Sequence, residues 1–300
     1  MDILGKFISK TPEYKDIMSA LDFGSRSISV YGMSEIHQAL FISCLRENLK
    51  RPMAVIAKNE RSAEGLAADF SALTGNTAAF LPCRDIVFHN IDNASRENEH
   101  MRLKALSPFM NGTAPVLFTT AEAMMLYTMP PRLLASSSLT ISSGEDYDLQ
   151  EISGSLSKWG YSRCENVEGP GQFAVRGGIL DVFSPGQPQP VRAEFWGDTV
   201  DSLGFFDPLT QRRTENIPSV DIIPCAEVLP HISGEVTKSL RQRLEHISKL
   251  KSSSQKLKET LAQDLEKIDN SISFPSADRY LSCIYEKPSS ACLLYTSRCV

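Results

Sequence analysis

Apolar positions along this chain follow two different periods. Over the first 130 residues, short apolar runs at 27–31, 52–57, 78–81 and 115–119 alternate with segments of helical period at 12–21, 35–48, 62–73 and 97–110. The runs predict strands and the periodic segments predict helices. In 35–48, Ile36, Ala39, Leu40 and Ser43 fall at helical steps, and Ser34 is placed as the cap. Thr119-Thr120-Ala121-Glu122 leads into a further helix, which Pro130-Pro131 is expected to stop. Strand and helix in alternation predict a parallel sheet layered by helices.

The period then shortens to two. Residues 136–144 are rich in Ser and Thr and read as a link, and 146–160 reads as a helix with Leu149, Ile152 and Leu156 on one face. Residues 161–167 start a sheet that continues as two successive hairpins. The first runs through Gln172–Arg176, turns at Gly177-Gly178 and returns over Ile179–Phe183. The second runs over 192–196, turns at Gly197-Asp198 and returns over Thr199–Phe206, closed by Asp207-Pro208. Alternation puts Phe173 and Val175 on one face of their strand and Gln172, Ala174 and Arg176 on the other. On the next hairpin, Val191, Ala193 and Phe195 face one way, and Arg192, Glu194 and Trp196 the other. The first set predicts core. The second places a Trp among two Arg and a Glu on a face expected to meet water. That is the composition of a binding hot spot; the alternative is that Trp196 caps the core of a small sheet.

Beyond the sheet, 217–229 is another apolar run. Residues 234–272 carry Leu240, Leu244, Ile247, Leu257, Leu261, Leu265 and Ile268 at three- and four-residue steps, which predicts amphipathic helices broken or weakened at Ser252-Ser253-Ser254. Their dense Lys and Arg are interleaved with Glu and Asp, the pattern of a solvated helix face; a nucleic-acid-binding arm is the alternative.

Composition narrows the function classes. Of 300 residues, 42% are hydrophobic and 22% charged, the balance of a globular protein of about two domains. A net charge of −5 disfavours a chain whose main task is gripping phosphates. Seven Cys, with no Cys-x-x-Cys pair, point to reduced thiols rather than a zinc site or a disulfide framework. No run approaches a membrane span and the first residues do not read as a signal peptide, so a cytoplasmic location without membrane attachment is expected. His89 and His100, with no ligand-type neighbours at suitable spacing, read as polar surface or core-edge residues rather than catalytic groups. The strand–turn–helix at Tyr31-Gly32-Met33-Ser34-Glu35 sits where a phosphate-binding loop would, but offers one Gly, no Lys and a repelling Glu.

Three motifs, in order, carry a family resemblance: Gly171-Gln172-Phe173-Ala174-Val175-Arg176-Gly177-Gly178-Ile179-Leu180-Asp181-Val182-Phe183, then Arg192-Ala193-Glu194-Phe195-Trp196-Gly197-Asp198, then Phe206-Asp207-Pro208-Leu209-Thr210-Gln211-Arg212. They resemble the small second domain shared by the excision-repair subunit UvrB and the bacterial transcription-repair coupling factors (Mfd), and the likeness extends over about residues 27–288. UvrB keeps a phosphate loop and a long aromatic hairpin that threads DNA. Here the loop is degenerate and only residues 87–94 separate Leu81-Pro82-Cys83-Arg84-Asp85-Ile86 from Ser95-Arg96-Glu97-Asn98-Glu99-His100, as in the coupling factors.

The resemblance implies an α/β fold: a parallel, degenerate helicase-like domain with an inserted small α+β domain carrying an antiparallel sheet. It places the first domain over 1–132, the small docking domain over 133–217 and a return segment over 218–291. Residues 292–300 break off in mid-pattern and are expected to be a non-native tail, because Cys-Leu-Leu-Tyr-Thr-Ser is what a transposase adapter encodes in one frame. The implied partner is the damage-recognition ATPase UvrA, docked through Arg176 with Trp196, Arg192 and Glu194 beside it. Ala174 stands where the family often has a second basic residue. This chain is expected to hold no cofactor and to act as a docking module rather than an enzyme. ATP with Mg, DNA translocation, RNA polymerase and double-stranded DNA belong to the full-length family members. The rival readings are a UvrB-type DNA-dependent ATPase and a scaffold for another protein.

Overall fold

A computed structural model describes residues 3–76, 78–84, 95–111, 116–229, 234–249, 255–272, 274, 277–285 and 289–291. In chain order the elements are α1 (Ile3–Ile8), α2 (Pro12–Asp22), α3 (Glu35–Leu49), β1 (Met53–Ala57), α4 (Glu60–Thr74), β2 (Ala79–Leu81), α5 (Glu97–Asn111), β3 (Val116–Thr120), α6 (Ala121–Met125), β4 (Tyr127–Thr128) and α7 (Pro131–Ser136). There follow β5 (Leu139–Ser142), α8 (Leu149–Lys158), β6 (Ser162–Arg163), β7 (Gln172–Arg176), β8 (Ile179–Phe183), β9 (Val191–Trp196), β10 (Thr199–Phe206), β11 (Arg213–Asn216) and β12 (Ser219–Ile222). The helices α9 (Gly234–Lys249), α10 (Gln255–Asp269) and α11 (Leu281–Ile284), with the short strand β13 (Ser289–Ser290), complete the described chain. The mixed α/β class expected from the sequence is the class observed. The predicted break at Ser252–254, the short interval 87–94 with His89, and the tail 292–300 lie outside the described residues.

The chain divides into two compact units. The first comprises the described residues of 3–83 and 108–125. Its sheet is parallel, in the order β1-β3-β2, with Val55 opposite Phe118 and Phe80 opposite Phe118 on the other side. Ala39 of α3, Leu66, Ala67 and Phe70 of α4, and Val116 and Phe118 of β3 form its core, with the Phe70 and Phe118 rings 5.5 Å apart. Local chemistry sets the helix ends. Thr11 caps α2 ahead of Pro12, Asn59 accepts the Ser62 N–H at the start of α4, and Gly75 closes α4 at a φ of +69°.

Three sequence expectations are corrected. Residues 27–31 form no strand among the described residues, and Tyr31 is 87% exposed. Their β-branched residues supply propensity, but only a hydrogen-bonded neighbour makes a strand. Pro130-Pro131 does not stop a long helix. The preceding α6 ends at Met125, and Pro131 begins α7, where its fixed φ and missing N–H suit the first turn. The Ser/Thr-rich stretch 136–144 is not a plain link either. It contains β5, which pairs antiparallel with β12 from Ser219 opposite Ser142 to Ile222 opposite Leu139.

The second unit comprises the described residues of 84–107 and 126–291. Its six-stranded sheet runs β11-β10-β9-β8-β7-β6, antiparallel except for the β6–β7 pair. One face packs Phe173, Leu180, Val182, Val191, Ala193, Val200 and Leu203 against Ile152 and Leu156 of α8 and Ile141, Val220 and Ile222 of β5 and β12. A bulge between Val200 and Ser202 brings both Val200 and Leu203 to this face. The second cluster gathers Leu240 and Leu244 of α9, Leu261, Leu265 and Ile268 of α10, and Leu281 and Ile284 of α11.

Buried charge holds distant segments of this unit together. Glu227, fully buried, accepts from Arg84 and Arg102, each at 2.6 Å, and Arg84 also pairs with Asp278 at 2.6 Å. The Glu227 backbone N–H donates to Glu99 Oε1 at 2.7 Å. Burial alone would raise the Glu227 carboxyl, but Arg102 and Arg84 hold it below its ordinary range. Burial pushes Glu99 up to about 8 against the pull of Arg96.

Candidate docking site

Both hairpins close on a glycine of positive φ, Gly177 at +60° and Gly197 at +64°, each followed by a residue of negative φ. A glycine at the first central position is what a two-residue II′ turn requires. Gly178 has a separate reason to lack a side chain: a Cβ there would stand 2.9 Å from the Phe195 carbonyl oxygen. The hairpins are thereby locked in register, and Ala174, Asp181 and Arg192 lie abreast on β7, β8 and β9.

This register creates the site on the face turned away from the main core. Asp181, with its side chain 1% exposed, accepts from Arg176 Nη2 at 2.6 Å and from Arg192 Nε and Nη2 at 2.6 and 2.8 Å. The Asp181 bonds raise the Arg192 guanidinium further above its already high range. Arg192 also covers the Phe206 ring at 4.5 Å and donates to the Gln211 carbonyl oxygen and Oε1 at 3.3 and 3.0 Å. Arg176 Nη1 donates to Asn166 Oδ1 at 3.0 Å, yet the side chain stays 45% exposed. Beneath lies a small second core of Val167, Ala174 and Phe206, bordered by Cys164 and Phe183.

The remaining predicted site residues lie farther along the same face. Glu194 accepts from Arg213 at 2.9 Å, and Arg213 also donates to Ser202. Trp196 ends β9 at the hairpin and is 84% exposed, so it does not cap a core. Ala174 is 1% exposed and belongs to the small core, where it offers a partner no side-chain surface of its own. Sequence reading missed Asp181, the group that both arginines share. Its signal was a lone carboxylate in the apolar run Ile179-Leu180-Asp181-Val182-Phe183. Gln211 was missed as well; it is held at a φ of +59° so that its backbone and side chain both meet Arg192.

Residues 139–227, which contain this site, match the family model described as the UvrB interaction domain. Over these residues the chain is similar to that domain. It is also similar to proteins named transcription-repair-coupling factor: 28% identical to that of Bacillus subtilis over 97% of this chain and 25% of the relative. Against the Myxococcus xanthus protein it is 30% identical over 72% of this chain and 19% of the relative. The Mycobacterium bovis protein gives 31% over 59% and 15%. The chain thus spans about a quarter or less of the length of these curated relatives. The resemblance to the coupling factors seen in the three motifs is the one the comparisons return.

Outside this domain, the turn before α3 does not fit a nucleotide phosphate. Gly32 takes a φ of +83°, but the Ser34 hydroxyl is engaged with His37 Nδ1 at 3.0 Å, α3 opens on Glu35, and the turn contains no Lys. His100 is half-buried and donates from Nε2 to the Cys225 carbonyl oxygen at 3.1 Å. Burial and nearby Arg96 lower it to about 4. Among the described residues, no helix is long and apolar enough to cross a membrane.

Proposed function

We propose that this chain is the UvrA-docking module of a transcription-repair coupling factor, and that its UvrB interaction domain recruits UvrA during transcription-coupled excision repair. The observation that carries this reading is that one sheet face presents both a strongly exposed Trp196 and a half-exposed Arg176 whose guanidinium is held in place by buried Asp181. A partner carboxylate reaching Arg176 meets a cation already oriented, so little side-chain entropy remains to be lost on contact. Trp196 adds a large apolar surface on the same face. In the complete protein, DNA translocation driven by ATP and contact with RNA polymerase and double-stranded DNA are assigned to segments other than these residues. The test is the affinity of the chain for purified UvrA. Arg176→Ala and Trp196→Ala are each expected to weaken binding by about 2 kcal/mol or more, roughly thirtyfold, with circular dichroism unchanged. Folded variants with wild-type affinity would place the docking face elsewhere.

A further inference from the structure

Two large apolar side chains within residues 139–227 are strongly exposed, Trp196 at 84% and Leu209 at 93%. A single exposed Leu needs no explanation. Leu209 differs in how firmly its surroundings are fixed. The Asp207 carboxylate accepts the backbone N–H groups of Leu209 and Thr210 at 2.9 and 2.8 Å. Those bonds, Thr210 first, hold the Asp207 carboxyl below the usual carboxylate range. The Asp207 backbone also donates to the Arg212 carbonyl and accepts from the Gln211 N–H, and Gln211 Nε2 donates to the Pro208 carbonyl at 2.8 Å. The turn is a closed knot of hydrogen bonds that leaves its one large apolar side chain in water.

The knot is tied to the docking face. Arg192 donates to Gln211 and, with the same guanidinium, to Asp181, which also holds Arg176. Arg192 and Trp196 are four residues apart on β9 and share a face, a separation of about 13 Å at strand rise. The turn that carries Leu209 follows β10 at the Arg192 end of β9, where Gln211 meets Arg192, and Trp196 ends β9 at the opposite hairpin. Between them, Arg176, Arg192 and Arg213 face Asp181 and Glu194, three positive charges against two negative.

We propose that Leu209 is a second apolar anchor of the docking face, so that the partner presents two apolar sockets on either side of an acidic strip. The inference rests on the docking reading above. The preformed turn makes this anchor effective, because a loop already ordered loses little entropy on binding.

The experiment uses the full chain and purified UvrA, with Leu209→Ser, Trp196→Ala and, as a control on an exposed apolar residue outside the domain, Ile272→Ser. Leu209→Ser is expected to weaken binding about tenfold with an unchanged unfolding midpoint, and Ile272→Ser to leave affinity unchanged. Asp207→Ala, which unties the turn and keeps Leu209, is expected to weaken binding as well. Should Leu209→Ser shift the unfolding midpoint, Leu209→Gln repeats the test with a side chain of similar length. If wild type binds, Trp196→Ala weakens binding and neither Leu209 variant does, the second anchor is overturned while the docking reading stands. If wild type does not bind UvrA, the docking reading falls and the anchor falls with it.

Discussion

Asp181 and Arg192 face each other across the β8–β9 pair and are joined by two hydrogen bonds, at 2.6 and 2.8 Å. The carboxylate is buried and the guanidinium is mostly covered, so each depends on the other for the solvation it has lost.

Replacing Asp181 therefore damages the domain before it damages docking. Asp181→Asn leaves Arg192 against Phe206 without its counter-charge and frees Arg176 from its tether. The expected loss is about 2 kcal/mol or more, below the full penalty for a wholly buried pair because Arg176 is partly solvated. A lower urea midpoint at unchanged slope checks it; an unchanged midpoint would mean that the two arginines find water instead.

The hairpins were legible in the sequence because one face is buried: Phe173, Val191 and Ala193 had to point inward, and each does. The site was legible only in part. Arg176, Arg192, Glu194 and Trp196 follow from alternation along single strands. Asp181 acquires its meaning from register across three strands, which no single strand's pattern records. Ala174 shares the alternation of Arg176 yet lies in the small core, because period assigns a face but not what covers it. The misreadings at 27–31 and at Pro130-Pro131 have the same origin: local propensity does not specify which neighbour a segment meets.

Stability should fall as the solution turns alkaline, and Glu99 is the reason. Its carboxyl is raised to about 8, so between its unfolded value and 8 the folded state holds a proton that the unfolded state has released. Stability from this source is full below the unfolded value and is lost as pH rises through 8. His100 works oppositely. Lowered to about 4, it adds stability as pH rises from 4 through the ordinary histidine value and then stops. Above pH 6.5, His100 has finished and Glu99 continues. The thermal midpoint is expected to decline between about pH 6.5 and 8. Glu99→Gln keeps an oxygen for the Glu227 N–H and should flatten the decline. An equal slope in that variant would assign the effect to another group.

Gly204 sits where β10 meets β11, and a Cβ there would lie 2.5 Å from the Glu215 carbonyl oxygen. The Arg213 and Asn216 side chains nearby can give way, but the Glu215 carbonyl is β11 backbone, so Gly204→Ala should part the β11 edge from the sheet. The expected signature is faster amide exchange confined to residues 213–216, with the Phe173 and Leu180 core still protected. Protection retained along β11 would show that the edge absorbs the methyl group.

Arg176 and Trp196 should differ in how they bind, beyond how tightly. Arg176 is charged, half-exposed and preset by Asp181, so it acts on the approach of an oppositely charged surface. Trp196 carries no charge, and its contribution comes from area removed from water after contact. Association of the chain with UvrA is accordingly expected to slow as salt rises, with a Debye length near 8 Å at physiological ionic strength. Arg176→Ala should lower the association rate and weaken its salt dependence. Trp196→Ala should leave that dependence intact and raise the dissociation rate, because losses of packed apolar contact appear mainly there. Surface-immobilised UvrA and a series of salt concentrations read both constants. Equal salt slopes for wild type and Arg176→Ala would mean that Arg176 is spent on Asp181 and Asn166 and meets no charge on the partner.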